Sequence, residues 1–322
     1  LGMMTFVVFL IEGLTGALLM FYYEPSFAGA WESVRRIEME IPFGFMLRNI
    51  HYHGSNAMIF LAISHMFFLF FKARYKLRNE LIWASGVLMG TVVILEAFFG
   101  YALLFNERAL LAINIGRALM YGSPVIGTVV ANIFFGGGFT DWIIKFYALH
   151  VFILPMAILA ILPIHFPKKL VIEIPSLATI TGIIMIVAGL FPVELGTKFI
   201  PLKTPKVEIP EWYFTALYAY IRSGLDPILV GVILPTILIG FLLLIPWLDI
   251  SRKLKMQDRP FFTAFGIAIL LLIGVTTVWG FFAPGMYIEV PLLIDLAPFI
   301  GIQVLLFIGT YIIVYHYAKR DL

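Results

Sequence analysis

Long apolar stretches alternate with polar connections along this 322-residue chain, and each stretch has about the length of a membrane-spanning helix. A helix needs about 20 mostly apolar residues to cross the hydrocarbon core of a bilayer. Eight stretches meet that length, so the pattern predicts an all-α polytopic membrane protein with eight transmembrane helices. The predicted spans are 2–23, 48–71, 82–105, 141–165, 172–193, 225–247, 261–283 and 292–316.

The polar connections 24–47, 106–140 and 194–224 are long, whereas the others are short. Within the second of them, the segment 110–131 is apolar but is interrupted by three glycines and a proline. Such interruptions are typical of breaks between short elements. We therefore expect surface helices there and no further span.

Composition agrees with a membrane protein. Hydrophobic residues make up 61% of the chain and charged residues 13%, whereas a soluble domain has about 45–50% apolar and 25% charged residues. A net charge of +3 gives no reason to expect nucleic acid as a partner. The lack of cysteine excludes a disulfide scaffold, a Cys-ligated iron–sulfur cluster and a covalently attached c-type heme.

The first apolar run continues into a full-length span, so we expect no cleavable signal. The chain does not begin with Met, which predicts that a few N-terminal residues are missing.

The distribution of basic residues predicts the orientation in the membrane. Short loops carrying many basic residues face the cytoplasm under the positive-inside rule. The short loops on one side and the C-terminus hold twelve of the 22 Lys and Arg residues, and an even number of spans then places both termini in the cytoplasm. These twelve are Lys72, Arg74, Lys76, Arg78, Lys168, Lys169, Arg252, Lys253, Lys255, Arg259, Lys319 and Arg320.

Four of the six histidines fall in two predicted spans. His51 and His65 are 14 residues apart in the second span, and His150 and His165 are 15 apart in the fourth. A helix advances about 100° and 1.5 Å per residue, so either spacing returns a side chain to nearly the same face about 21 Å further along. Because the two spans run in the same direction, the pattern predicts His51 opposite His150 and His65 opposite His165, at two depths.

Two opposed imidazoles suit an iron porphyrin that carries electrons and has no open coordination site. The alternative is that each histidine is only a hydrogen-bonded polar residue in a bundle. That alternative suffices for a single histidine but not for two pairs at matching depth, because polar groups inside the membrane are costly and usually functional. We assign no role to His53, which lies on another face, or to His316.

Four glycines repeat the spacing of the histidines. Gly2 and Gly16 in the first span are 14 residues apart, as are Gly86 and Gly100 in the third. A porphyrin needs backbone without a Cβ beside its flat face. We therefore expect these glycines to contact the cofactors from the two other helices of a four-helix bundle, with ordinary packing through small residues as the alternative.

Charged residues within or beside the predicted spans complete the set of candidates. Arg48 and Lys145 precede the two outer histidines and are candidate partners of heme propionates, or else interfacial anchors. Glu12, Glu96 and Asp295 lie within spans and are candidates for proton paths or quinone contacts. Of these, Glu12 is assigned to the inner half of the first span, as a candidate for proton uptake.

Several short motifs accompany the histidines. They are Leu14-Thr15-Gly16, Arg48-Asn49-Ile50-His51 followed by Gly54 and His65, Phe99-Gly100-Tyr101, the run from His150 to Pro155, and Pro210-Glu211-Trp212-Tyr213-Phe214 followed by Tyr218 and Arg222-Ser223. Together these motifs make nearly the whole chain resemble cytochrome b of the quinol-oxidising cytochrome bc complexes. The most specific of them is the PEWY motif at 210–213, which in that family belongs to the outer quinol-oxidation site.

The resemblance implies two domains and two b-type hemes. Residues 1–171 would form the di-heme bundle of four spans, and residues 172–322 the C-terminal domain with the PEWY connection. His51 and His150 would bind the iron of the low-potential heme near the outer face. His65 and His165 would bind that of the high-potential heme near the inner face.

The resemblance also implies a quinol site, partners and a source. Glu211 and Tyr213 would act in quinol oxidation, with Pro210, Tyr101 and Tyr218 contributing to quinol binding. The expected process is a Q cycle, in which one electron passes to a Rieske iron–sulfur protein and a c-type cytochrome or equivalent acceptor. The other electron crosses both hemes to an inner quinone, which builds a proton gradient. A homodimer in a prokaryotic plasma membrane, in contact with membrane lipid and the quinone pool, is implied too.

The chain departs from the family in two places. The third span continues as 102–105, Ala-Leu-Leu-Phe, where the family commonly has a Leu-Pro-Trp run. No second histidine follows His165, so the inner quinone site is not carried over from the resemblance. The fifteen-residue histidine spacing of the fourth span resembles chloroplast and some prokaryotic forms, yet all eight predicted spans lie on one chain. The resemblance therefore implies a divergent bacterial or archaeal member.

Two other classes of function stay open at this point. A di-heme b membrane anchor of another quinone-linked dehydrogenase explains the histidines but not the PEWY motif. A transporter or scaffold without a cofactor explains the hydropathy and little else.

Overall fold

The computed structural model describes residues 1–166, 173–201, 208–282 and 292–320, and these form helices joined by loops. In these ranges the only extended pairing is an isolated antiparallel bridge between Asn106 and Lys198. The helices are α1 (Gly2–Met20), α2 (Gly29–Met39), α3 (Gly44–Phe71), α4 (Glu80–Ala102), α5 (Glu107–Gly122), α6 (Gly127–Phe135), α7 (Phe139–His165), α8 (Ile174–Leu190), α9 (Trp212–Ile221), α10 (Leu229–Leu248), α11 (Pro260–Phe282) and α12 (Leu292–Arg320).

Six of these helices are long and apolar enough to cross a membrane, namely α1, α3, α4, α7, α10 and α11. The predicted fifth and eighth spans correspond to α8 and α12. The 17 residues of α8 make about 25 Å of helix, somewhat short of a hydrocarbon core of about 30 Å. In α12 the apolar stretch is Gly301–Tyr317. The described residues therefore contain six candidate spans, where the hydropathy pattern predicts eight.

Some predictions fall on residues outside the described ranges. Lys168, Lys169 and the predicted domain boundary at 171/172 lie between the described ranges 1–166 and 173–201. Asp295 lies in α12, in a part of the helix whose side chains are not described. The segment 110–131, predicted as surface helices, is covered by most of α5, the turn that follows it, and the first half of α6.

Many apolar side chains on the long helices point away from the protein. Leu14, Phe60 and Phe152 are 65%, 62% and 65% exposed. A soluble protein would expose such a surface to water at a large free-energy cost. Hydrocarbon solvates it without cost, so these helices suit a bilayer.

The chain divides into two compact units. The first comprises Leu1–His65 with Leu88–Lys206, and the second Met66–Val87 with Val207–Leu322. In the first unit an aromatic core joins the end of α4 to α5, α6 and α7, and Asn106 supports it from the loop. The Oδ1 of Asn106 caps α5 by accepting from the Ala109 N–H at 2.8 Å, while its Nδ2 donates to the Leu195 carbonyl. The core consists mainly of Phe99, Leu103, Phe105, Leu110, Ile113, Phe135, Trp142, Ile143, Phe146 and Leu149.

In the second unit, a buried polar cluster centred on Asp249 joins the connection between α3 and α4 to the connection between α10 and α11. Tyr75 donates to Asp249 Oδ2 at 2.6 Å, and Lys76 Nζ lies 2.8 Å from Oδ1. Arg259 donates to both the Tyr75 hydroxyl and Asp249, and Ser251 donates to Oδ1. Burial alone raises the pKa of the Asp249 carboxyl, but the hydrogen bonds from its neighbours outweigh that effect, so its pKa lies below the usual range.

We expect Asp249→Asn to destabilise the protein at neutral pH. The substitution leaves two buried cations without their counter-charge, which typically costs about 3–5 kcal/mol. Because the folded pKa is depressed, the stabilisation by Asp249 is complete above its unfolded pKa of about 3.9. This stabilisation is lost as the pH falls through the lower pKa that Asp249 has in the folded state. Thermal unfolding of the detergent-purified protein at pH 7 measures the difference.

The control for this prediction is Asp258→Asn in the same connection, whose side chain is only half-buried. Equal melting temperatures for the two variants at pH 7 would contradict the role of the Asp249 cluster.

Candidate electron-transfer site

The structure brings the four predicted histidines together as two pairs between α3 and α7. The ring centroids of His51 and His150 are 6.1 Å apart, with their planes at 85°. Those of His65 and His165 are 6.4 Å apart, with planes at 79°. An imidazole nitrogen lies about 2 Å from a metal that it ligates, and the ring centre about 1 Å behind it, so one ion between two opposed rings separates their centres by about 6 Å. Both pairs have that separation.

A π-helical turn brings the fifteen-residue spacing of α7 into register with the fourteen-residue spacing of α3. The turn covers Leu149–Ile153 and includes His150, and the N–H of Leu154 bonds to the carbonyl of Leu149. Pro155 has no N–H for the next α-helical bond. A π turn holds one residue more than an α turn, so fifteen residues here rotate the side chain by about as much as fourteen do in a regular helix.

The Nδ1 atoms of the outer pair, His51 and His150, face hydrogen-bond acceptors on α1 and α4. His51 Nδ1 lies 2.9 Å from the Thr15 hydroxyl, which donates its own hydrogen to the Ile11 carbonyl. His150 Nδ1 lies 3.1 Å from the carbonyl of Glu96. A carbonyl only accepts, so Nδ1 carries the proton. That tautomer leaves the Nε2 lone pair for a metal.

Two carboxyl groups face the same nitrogen atoms. Glu12 Oε2 lies 3.3 Å from His51 Nδ1, and Glu96 Oε1 lies 3.0 Å from His150 Nδ1. The sequence placed Glu12 in the inner half of its span as a candidate for proton uptake. The structure instead places its carboxyl against the outer histidine of α3.

Three of the four predicted glycines lie directly against histidine rings. A Cβ on Gly2 would lie 3.0 Å from His65 Cε1, and one on Gly16 would lie 3.2 Å from His51 Cε1. Gly100 is closest, since its Cβ would lie 2.5 Å from His150 Cε1. Gly86 lies one regular interval before Gly100 in α4. The close contacts keep backbone from α1 and α4 beside the rings, as a flat cofactor requires.

The donor set suits a porphyrin better than a bare ion. Among the described residues there is no group of three or more His, Cys, Asp and Glu side chains placed to hold a metal. A protein zinc site needs three or four such ligands. Paired imidazoles with glycine beside them instead fit the axial ligands of an iron porphyrin.

The two predicted propionate partners have protein partners in the structure. Arg48 is buried, pairs with Glu38 and donates to the Val193 carbonyl. Lys145 donates to the Gly136 carbonyl at 2.8 Å. Their assignment to heme propionates stays a prediction, and the structure adds that both side chains also hold loops in place.

We expect Gly100→Ala to displace the His150 ring, because the new Cβ would also lie 3.0 Å from both ring nitrogens. Overpacking of this kind typically destabilises by about 1–3 kcal/mol. The matched control is Gly90→Ala in the same helix, where no heavy atom of the described residues lies within 4 Å of the added Cβ. There alanine stabilises the helix by up to about 1 kcal/mol. Thermal unfolding of both variants tests the difference, and equal stability would contradict the contact.

The PEWY segment forms the start of α9 in the second unit. Glu211 is the N-cap residue, and Pro210 lies just before it rather than in the first helical turn. The Glu211 side chain is only 7% exposed and makes no capping hydrogen bond in the described part of the chain. The fully buried Thr215 donates to the Glu211 carbonyl at 3.2 Å. Its contact with Gly280 packs α9 against α11.

Aromatic side chains follow Glu211 directly in this segment. The rings of Tyr213 and Phe214 have centroids 4.8 Å apart, and that of Trp212 lies 5.7 Å from Tyr213. The Arg222 guanidinium lies 5.0 Å from the Tyr218 ring centre. Tyr101 belongs to the first unit, where it is buried at the end of α4. An apolar environment beside a buried carboxyl is suited to accepting a proton away from bulk water.

Comparisons with known proteins relate both parts of the chain to one family. The family described as cytochrome b/b6/petB matches residues 1–171, and that described as cytochrome b(C-terminal)/b6/petD matches residues 200–291. A cytochrome bc complex cytochrome b subunit from Chlorobaculum thiosulfatiphilum is 31% identical over 303 residues, which cover 84% of this chain and 70% of that protein. The menaquinol:cytochrome c reductase cytochrome b subunit of Bacillus subtilis (strain 168) is 36% identical over 170 residues, 51% of this chain and 75% of the relative.

One solved structure has the same fold. A chain of a hyperthermophilic respiratory Complex III superposes with a TM-score of 0.75 and 24% sequence identity. The superposition covers 98% of this chain and 91% of that one.

Proposed function

We propose that this chain, which belongs to the cytochrome b/b6 family, is the cytochrome b subunit of a quinol-oxidising complex of the bc or b6f type. It is an integral, multi-pass membrane protein of electron transport. The observation that carries the proposal is the pair of opposed histidines at each of two positions along α3 and α7. The PEWY segment at the start of α9 adds the quinol chemistry that histidines alone do not explain.

Each histidine pair would hold one b-type heme within a bundle of α1, α3, α4 and α7. A heme with two imidazole ligands and no open position supplies one-electron transfer when bound. His51 and His150 would hold the outer one, and His65 and His165 the inner one. The two positions on α3 are separated by about 21 Å along the helix, so the protein holds two redox sites on one path across the bilayer. Residues 1–171 would form this domain, and residues 172–322 the domain with the quinol site.

Glu211 and Tyr213 would provide the chemistry of quinol oxidation on the outer side. Quinol releases two protons as it gives up two electrons, so its oxidation site needs a proton acceptor. The buried carboxyl of Glu211 beside the aromatic side chains is suited to that task. Pro210 fixes the backbone before it, and Tyr101 and Tyr218 keep their assignment as quinol-binding residues through the resemblance to the family.

The partners follow from the same chemistry. Oxidation of quinol in a Q cycle sends one electron to a high-potential acceptor and the other through both hemes to a quinone on the inner side. This chain has no cysteine for an iron–sulfur cluster. We therefore expect a separate Rieske protein and a c-type cytochrome or equivalent acceptor. The resemblance to the family further implies a homodimer of this chain in a prokaryotic plasma membrane, and the distribution of basic residues places both termini in the cytoplasm.

Copurification with a Rieske protein tests the proposal against a di-heme anchor of another dehydrogenase. We expect the chain, tagged and isolated in mild detergent from its native membrane, to bring down a protein with a [2Fe–2S] electron paramagnetic resonance signal. The complex should oxidise quinol. A complex with both hemes but a dehydrogenase in place of the Rieske protein would support the anchor instead.

A further inference from the structure

The outer histidine pair has a carboxyl group on each of its two sides. Glu12 from α1 faces Nδ1 of His51, and Glu96 from α4 faces Nδ1 of His150, at 3.3 and 3.0 Å. Because Nδ1 carries the proton when Nε2 binds a metal, the single N–H of each ring faces two acceptors. These are the Thr15 hydroxyl and the Glu12 carboxyl at His51, and the carbonyl and the carboxyl of Glu96 at His150. A carboxylate in this position makes the imidazole a stronger electron donor to the metal.

The two carboxyls occupy equivalent places on their helices. Glu12 lies four residues before Gly16, and Glu96 lies four residues before Gly100. In each helix the glycine therefore touches Cε1 of the ring, and the glutamate one turn earlier reaches the adjacent Nδ1. The same glycine and glutamate positions on two helices indicate that both histidines of the outer pair have the same kind of environment.

The fold also leaves room for the carboxyl on α1. The carboxyl of Glu12 lies over the Cα of Gly54, and any Cβ on Gly54 would overlap it. Gly54 follows His51 by nearly one turn of the same helix. Glycine at this position thus lets the carboxyl approach the histidine.

The second oxygen of each carboxyl is buried without a hydrogen-bond partner among the described residues, namely Glu12 Oε1 and Glu96 Oε2. Such oxygens are unfavourable in a low-dielectric interior unless a positive charge compensates them. A ferric iron bound by a porphyrin and two neutral imidazoles carries one net positive charge, which is lost on reduction. A ferric heme iron at this position would therefore supply the positive charge that these two oxygens lack in the protein alone.

We propose that Glu12 and Glu96 are positioning residues that lower the reduction potential of the outer heme. They would do so by sharing the Nδ1–H of its two ligands with the neighbouring acceptors and by stabilising the oxidised, more positive centre. Hydrogen bonds to the ligating imidazoles and nearby charges are known determinants of heme potentials. This inference rests on the proposed function, in that it takes the outer pair to bind heme.

The consequence is a directed electron path. α1, α3, α4 and α7 contain no further acidic residue except Glu80 and Asp141, which lie in the first turns of α4 and α7. The carboxyls of Glu12 and Glu96 therefore act on one of the two sites. A lower potential at the outer site favours passage of an electron from there to the inner site.

The test is a redox titration of the purified complex carrying Glu12→Gln or Glu96→Gln. The amide keeps the size of the side chain and an acceptor oxygen but removes the acid. We expect the ratio of reduced to oxidised outer heme at a fixed potential to rise at least tenfold, which corresponds to 59 mV for a one-electron couple. The potential of the inner heme should stay unchanged, and the electron paramagnetic resonance signal of the outer heme should shift.

The matched control is Glu80→Gln, which makes the same change at the start of α4. If both hemes are present and the outer potential of each mid-helix variant equals that of the wild type, this inference is wrong and the proposed function stands. The inference is also wrong, and the proposed function stands, if the reduction potentials of the outer and inner hemes shift by the same amount. If the wild-type protein shows no bis-imidazole heme spectrum, the proposed function itself fails.

Discussion

His65→Leu is expected to abolish binding of the inner heme and to leave the outer heme in place, which halves the heme content of the protein. Leucine fills the space of the imidazole but offers no lone pair to iron, and His165 alone cannot complete a six-coordinate, low-spin centre. The outer pair has its own hydrogen-bond partners on α1 and α4. Heme-to-protein ratio and the reduced-minus-oxidised absorbance spectrum measure the outcome.

His53→Leu in the same helix is the control. The Nε2 of His53 lies 2.7 Å from the Phe191 carbonyl rather than opposite another histidine. We expect this variant to keep both hemes. An unchanged heme content in His65→Leu, or an equal loss in both variants, would contradict the assignment of the inner pair.

Glu211→Gln is expected to slow quinol oxidation by about 10²–10⁴-fold, the usual contribution of a general base. Glutamine has nearly the same shape, so it preserves the buried position at the start of α9 but cannot accept a proton. The measurement is the rate of heme reduction by quinol in the assembled complex, with the inner quinone site blocked. We expect a changed pH profile of this rate together with unaltered heme spectra.

Glu208→Gln provides the matched control three residues earlier in the same connection, and we expect it to retain the wild-type rate. The structure weighs against one simpler role for Glu211, because its side chain makes no capping hydrogen bond to α9 in the described part of the chain. A wild-type rate and pH profile in Glu211→Gln would leave the residue with a purely structural role.

The histidine pairs could be predicted from sequence because helical geometry converts spacing into depth and direction. His51 and His65 in one span, with His150 and His165 in another, leave few ways to arrange four imidazoles. The contacts of the glycines with the rings follow from the same spacing. For these residues, the helical spacing read from the sequence predicts which side chains meet in the tertiary structure.

The sequence was less informative where a contact depends on how helices rotate against each other. Position along the chain predicts Glu12 in the inner half of α1, whereas its carboxyl reaches the outer pair. The signal that could have revealed this is the equal offset of Glu12 from Gly16 and of Glu96 from Gly100. The π turn around His150 had a signal too, in Pro155 five residues later.

Hydropathy also predicts a fifth span at 172–193, where the described helix is shorter than a span. Ile174–Leu190 is mostly apolar, and its C-cap is Phe191, whose N–H bonds back to the Val187 carbonyl. Apolar residues continue past that point as Phe-Pro-Val, but Pro192 cannot continue the helix. Hydropathy measures the apolar length of a segment, whereas the helix ends where its hydrogen bonds end.

The most direct test of the central claim is a redox titration of the wild-type protein combined with its heme-to-chain ratio. Two opposed histidine pairs predict two b-type hemes per chain, both low-spin in the oxidised state, with two resolved one-electron transitions. A single heme per chain, or none, would contradict the assignment of the paired histidines as heme ligands.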